Sequence, residues 1–175
     1  MTDIATRCGG HDAGTPLVAG TLRGYRTWLA ACAEEVPVGA LPLKSVQFPE
    51  VFWTPTLRAR CLADEVLPGA PVRHDAPARG CRCGIYGWYR PRDRRLVWAP
   101  VFGVIGATGA TLMGTHGFRA QEATILAVVT RERYITKPCE RAGIAVYRRR
   151  RQLVRDFPCE DLKALLDDHE SNSHR

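Results

Sequence analysis

Four residues with soft metal-binding side chains lie close together in the middle of the sequence: Cys61, His74, Cys81 and Cys83. Zinc prefers four nitrogen and sulfur ligands in a tetrahedron, and a site filled by four protein side chains is typical of structural zinc. The gap of one residue between Cys81 and Cys83 is shorter than usual, but the flanking glycines permit a sharp bend there. The spacing therefore predicts a structural zinc site that leaves no open position for a substrate.

Other interpretations of these residues stay open from sequence alone. They could be unrelated thiols beside a surface histidine. A disulfide between Cys81 and Cys83 would close so short a loop that its geometry would be strained. A redox role is a further alternative, although the pair lacks the two-residue spacing of the known exchange motif.

The cellular setting bears on the chemistry of the cysteines, of which there are seven. Met1–Gly20 contains no continuous apolar segment of the kind that a signal peptide needs. No run of the sequence approaches the ~18 apolar residues of a membrane helix. We therefore expect a cytoplasmic protein without a membrane anchor, in which cysteines are thiols or metal ligands before they are disulfides.

The pattern around these ligands resembles that of a loose group of small bacterial and phage proteins. The resemblance covers residues 20–130 and leaves out the basic C-terminal third. It implies no activity, but it favours treating the four soft residues as one unit. The matching segments are Gly24–Trp28, Trp53, Cys61, His74–Pro77, Cys81–Tyr86 and Gly117–Ala120.

Positive charge is the second chemical feature of the chain, which has a formal net charge of +7. Arginines on one face of a helical segment would neutralise phosphates and bind nucleic acid with strong salt dependence. Tyr134 and Tyr147 are near enough in sequence to stack on bases. A solvated face, partly neutralised by neighbouring acids, is the alternative. The candidate contacts are Arg131, Arg133, Arg148, Arg149, Arg150, Arg151 and Arg155.

A third candidate site consists of His116, Arg119 and Glu122, at the entrance of a predicted strand. These residues could form a polar pocket in which His116 and Glu122 act as a general acid and base. Cross-strand charge pairing at a hairpin is the competing interpretation. The sequence supplies no nucleophile arranged with them and no triad signature, so an enzyme is the less favoured class.

Strand and helix signals predict an α+β fold. We expect a curved, mainly antiparallel sheet or partly open β-barrel over residues 17–130, with a zinc-stabilised loop region and C-terminal helices. Residues 1–16 are predicted to be a flexible tail, and 131–175 a basic helical segment packed on the core. Glycines between positions 103 and 114 indicate bulges or bends in strands. The clearest predicted helix is Pro158–His169.

Three functions are compatible with these observations. The first is a non-enzymatic, zinc-stabilised module that contacts nucleic acid, or a protein associated with it, through the arginines of the C-terminal third. The second is a protein-interaction factor, such as a small inhibitor or adaptor, in which the arginines only confer solubility. The third is a small hydrolase or transferase that uses the pocket of His116, Arg119 and Glu122.

Overall fold

The computed structural model describes residues 22–61 and 74–160. Within these ranges the chain forms a mixed, mainly antiparallel sheet of seven strands, with two α-helices late in the chain. The predicted α+β fold is therefore confirmed. The predicted tail 1–16 and most of the predicted helix Pro158–His169 lie outside the described residues.

The elements follow one another in a simple order. The strands are β1 (Leu22–Ala30), β2 (Leu43–Ser45), β3 (Thr56–Arg58), β4 (Ile85–Trp88), β5 (Val101–Met113), β6 (Gly117–Val129) and β7 (Ala145–Tyr147). The helices are α1 (Arg133–Arg141) and α2 (Arg150–Asp156), and a short 3₁₀ turn spans Ala33–Glu35. In the described part of the chain, no helix has the length and apolar content needed to cross a bilayer.

Strong curvature of the sheet comes from its two long strands. β5 lies between β1 and β6 and pairs antiparallel with both. β4 pairs with β6 over four residues and reaches β1 only at the single pair of Tyr25 and Trp88. The sheet therefore curls without becoming a closed barrel. Its register shifts between Thr108 and Thr111, where Gly109 has a φ of +71°, so the bulge predicted from the glycines is present.

The inner face of the curled sheet carries the main hydrophobic core. The ring of Phe118 lies against Gly24 and Gly87, and a Cβ atom added to Gly24 would come within 2.5 Å of that ring. These glycines are therefore needed for close approach. Trp28 and Trp53 meet edge to face, with ring centroids 5.5 Å apart. The core also includes Leu22, Leu43, Ile85, Ile105, Ile125, Ile135 and Cys139.

The outer face of the sheet carries a second, smaller cluster of Tyr25, Phe102, Val104, Ala127 and Leu153. Leu153 belongs to α2, whereas the buried residues of α1 belong to the inner core. The two helices therefore pack on opposite faces of the sheet. The Tyr25 hydroxyl donates a hydrogen bond of 2.6 Å to the carbonyl at the end of α2, which holds this helix on the outer face.

Candidate metal centre and basic outer surface

The four predicted soft ligands come together in space. Cys61 lies shortly after β3, and the other three lie in the loop that leads into β4. The four ligand atoms all lie within 4.8 Å of one another, so the cluster could hold a metal ion. The Cys61 and Cys81 sulfurs are 3.7 Å apart, and His74 Nε2 is 3.2 Å from the Cys83 sulfur. A disulfide would need about 2.0 Å, and the three cysteines are free thiols.

Two glycines shape the loop that carries these ligands. Gly80 has a φ of +79° and Gly84 a φ of +118°, values that side chains with a Cβ rarely adopt. They flank Cys81 and Cys83, as the sequence predicted for a sharp bend. A Cβ atom on Gly84 would also lie 3.1 Å from Cβ of Arg119. Glycine at this position therefore permits both the bend and the close approach of β6.

Arg119 contacts the backbone of the loop that carries three of the four candidate ligands. This residue of β6 is only 7 % exposed. Its Nη1 donates hydrogen bonds to the carbonyl oxygens of Cys81 and Cys83, the latter at 3.2 Å, and approaches that of Ala78 at 3.5 Å. A guanidinium presents several donors in a fixed plane, which suits a group of converging carbonyls. Arg119 therefore positions residues 74–84, which we call the metal-ligand loop because they include three of the four candidate ligands.

The cysteines of the loop have perturbed pKa values. Burial raises the pKa of the Cys81 thiol, but hydrogen bonds from the Cys83 backbone and from Cys83, Cys61 and His74 more than offset it, and the pKa falls to about 7. Burial raises the pKa of the Cys83 thiol, and the neighbouring Cys81 and Cys61 add to this effect, so that the pKa reaches about 11. Thiols crowded in this way favour a shared cation, because a metal stabilises thiolates.

The other two residues of the predicted polar pocket are not assembled with Arg119. His116 lies in the turn before β6, with Nδ1 3.7 Å from Asp93 Oδ2. Glu122 accepts a hydrogen bond of 3.2 Å from Thr108 on β5. Arg119 pairs with Tyr86 of β4, whereas Glu122 pairs with Arg58 of β3, so the two residues have different neighbours. His116 and Arg119 line a common cavity that Glu122 does not reach.

The predicted arginine surface divides between the two helices. Arg131 and Arg133 lie at the start of α1, and the other five lie just before or within α2; all seven are exposed. Because the helices pack on opposite faces, the arginines do not form one patch. Arg155 is 3.0 Å from the Asp156 carboxylate. Arg150 lies over the ring of Phe102, with Cζ 3.7 Å from the ring centroid.

The sequence prediction did not include a cavity of about 360 Å³ on the outer face. Arg92 and Arg150 both line it, together with Phe102 and Trp98. Trp98 is 89 % exposed, an unusual position for so large an apolar side chain. Four arginines lie between positions 90 and 95 of the sequence, but only the fold brings this segment beside α2. We call this cavity the outer cleft.

Electrostatics within the outer cleft favour an anion. Although Arg150 is exposed overall, partial burial of its guanidinium lowers its pKa, and the positive charge of Arg92 lowers it further. The one carboxylate that lines the cleft in the described structure, Asp93, already accepts a hydrogen bond of 2.8 Å from the backbone of Arg95. Two guanidinium groups and one carboxylate therefore line the cavity, which leaves an excess of positive charge. A bound anion would relieve the mutual repulsion of the guanidinium groups.

Comparison with known proteins finds no matching family model, no matching curated protein and no matching solved structure.

Proposed function

We propose that this protein is a zinc-stabilised, non-enzymatic module that binds nucleic acid through the arginine-bearing outer cleft. The observation that carries the proposal is the convergence of Arg92 and Arg150 beside the exposed ring of Trp98. Guanidinium groups bind phosphates, and an exposed aromatic ring stacks on bases. Arg148, Arg149, Arg151 and Arg155 extend the positive surface around α2.

Zinc is the metal that fits the cluster best. A tetrahedron with Zn–S distances of about 2.3 Å has edges of about 3.8 Å, and the sulfurs of Cys61 and Cys81 are 3.7 Å apart. Three thiolates and one imidazole are a known ligand set for structural zinc. A reducing compartment, such as the cytoplasm expected from the sequence, would keep these thiols available. We infer that the metal fixes the loop that leads into β4.

Metal analysis tests this part of the proposal. Purified protein should contain about one zinc per chain, and Cys83→Ser should lower both the zinc content and the melting temperature. Cys32→Ser is the matched control, because Cys32 is an exposed cysteine outside the cluster. Folded wild-type protein that contains no metal and takes up none would refute the zinc site.

Substitution of the arginines in the outer cleft tests nucleic-acid binding. Binding of the wild type to DNA oligonucleotides should weaken steeply as salt rises. The double variant Arg92→Gln/Arg150→Gln should bind more weakly. The slope of log K against log salt should fall in magnitude by about 2, because each lost phosphate contact lowers the slope by about 1. Glutamine keeps part of the Arg150 stem over Phe102, so the fold should survive.

A control with the same charge change is available on the other face. Lys137 and Arg141 are exposed on α1, so Lys137→Gln/Arg141→Gln removes two positive charges away from the cleft. This variant should retain most of the wild-type affinity. Equal losses in the two double variants would show that net charge alone drives binding. Binding that neither variant changes would refute the proposed contact surface.

A further inference from the structure

A second cavity opens on the outer face of the sheet. It has a volume of about 190 Å³, and its lining includes Tyr86, Trp88, Arg95 and His116. Among the described residues that line it there is no carboxylate. The cavity is therefore aromatic and basic, like the outer cleft, although it is built from different strands.

Strand register places the two cavities on one surface. Tyr25 of β1 pairs with Trp88 of β4, and Thr27 pairs with Phe102 of β5. Paired residues share a face of the sheet, as do residues two apart on one strand. Trp88 and Phe102 therefore both point to the outer face. Asp93 also links the cavities, because it lines the outer cleft and contacts two residues that line the second cavity.

The groups around the second cavity have the chemistry that stacks a base. The rings of Tyr86 and Trp88 are 6.1 Å apart. The guanidinium of Arg95 lies over Trp88, with Cζ 5.9 Å from the ring centroid. Asp93 holds Arg95 through its carboxylate at 3.4 Å. Because Arg95 lies over the indole, a base would stack there as the guanidinium moves from the ring to a phosphate of the same strand.

We infer that the second cavity takes an unpaired nucleobase stacked on Trp88, with Arg95 on a phosphate of the same strand. The inference rests on the proposed nucleic-acid function and narrows it to single-stranded ligands. In a duplex the faces of the bases are covered by their neighbours, so a ring set into a sheet face cannot reach them. A single strand can contact the outer cleft and the second cavity together, because both lie on one face.

The test compares a single-stranded oligothymidylate with a duplex of the same length. Trp88→Leu should lower affinity for the single strand roughly tenfold to a hundredfold, as expected for the loss of one stacked base. Its salt slope should not change, because no phosphate contact is lost. Duplex affinity should also stay the same. Trp88→Phe, which keeps a ring, should restore most of the single-strand affinity.

Arg95→Gln gives an independent measurement if Trp88→Leu proves unstable. Arg95 is exposed, so its substitution should leave the fold intact. This variant should reduce the single-strand salt slope by about one. Single-strand binding that both Trp88→Leu and Arg95→Gln leave unchanged would overturn the inference. In that case the proposed function would stand, provided that Arg92→Gln/Arg150→Gln still weakens binding.

Failure of the proposed nucleic-acid function can be distinguished from failure of the stacking inference alone. Wild-type protein that binds neither oligonucleotide in a salt-dependent way would overturn the function and the inference together. Tighter binding to polyglutamate than to oligothymidylate would do the same, since it would identify an acidic protein as the partner.

Discussion

Removal of the Arg119 guanidinium should uncouple the metal-ligand loop from the sheet. In Arg119→Met the stem is kept, but the hydrogen bonds to the carbonyls of Cys81 and Cys83 are lost. A hydrogen bond to a charged group contributes about 1.5–3 kcal/mol. Two such bonds at a site that is 7 % exposed imply a loss of about 3 kcal/mol in the free energy of unfolding. The contact to Ala78, at 3.5 Å, adds little.

Metal affinity should fall as well, because the loop would no longer be held in its binding conformation. If the whole loss of about 3 kcal/mol came from the positioning of the loop, zinc affinity would drop about a hundredfold, because about 1.4 kcal/mol corresponds to a factor of ten. Residues that orient metal ligands without touching the metal commonly contribute 10- to 100-fold in affinity. Competition between the protein and a chromogenic zinc chelator measures this change, and thermal unfolding with and without zinc measures the loss of stability.

Arg82→Met is the matched control for Arg119→Met. Arg82 lies between the same two cysteines but is exposed. The control should keep zinc affinity within about twofold of the wild type, because most exposed substitutions have small effects. Equal zinc affinities in Arg119→Met, Arg82→Met and the wild type would refute the positioning role. Arg119→Lys should be intermediate, since one ammonium cannot match the planar donors of a guanidinium.

Two further predictions concern the elements that hold the outer surface in place. Leu153→Ala should lower the free energy of unfolding by about 2–5 kcal/mol in a urea titration, because Leu153 is the fully buried anchor of α2; a loss below about 1 kcal/mol would show that α2 is held by other contacts. Gly24→Val should lower it by about 1–3 kcal/mol in the same assay, because a Cβ at this position would strike the buried Phe118 ring. Unchanged stability of Gly24→Val would mean that the ring moves aside freely.

The assembly of the Cys/His cluster was predictable because its signal is local and chemical. Three cysteines and one histidine fall between positions 61 and 83, and glycines on either side of Cys81 and Cys83 gave the bend its physical basis. The curved antiparallel sheet was predictable from β-rich segments and interrupting glycines. Despite its glycines, β5 runs unbroken from Val101 to Met113 with a bulge. A bulge absorbs the extra residues without ending the strand.

Predictions that depended on distant contacts were less complete. α1 begins at Arg133 and contains Pro138 in its interior, a position at which proline is unfavourable. Its buried Ile135 and Cys139 pack into the core, and tertiary packing can outweigh the unfavourable proline. β7 has no clear local signal, because it pairs in parallel with β6 only after α1 has reversed the chain. Neither the convergence of Arg92 with Arg150 nor the contacts of Arg119 has a signature in local sequence.

The position of the metal-ligand loop gives the last prediction, which joins the two proposed features. Cys83 is followed by Gly84 and then directly by β4, where Tyr86 and Trp88 stand. The loop therefore fixes the start of the strand that carries the stacking surface. The outer cleft is built from other parts of the chain, β1, β5, α2 and the segment after β4.

Removal of the metal should therefore weaken the stacking contribution more than the phosphate contribution. The protein is treated with a chelator at a temperature where it stays folded. Its affinity for oligothymidylate should then fall toward that of Trp88→Leu. The slope of log K against log salt should keep the contribution of the outer cleft. Chelation should add little to the effect of Trp88→Leu, because both changes act on the same contact. The coupling is measured by comparing the affinity loss from each change alone with the loss from both together. Fully additive effects of chelation and Trp88→Leu would refute this link between the metal and the stacking surface.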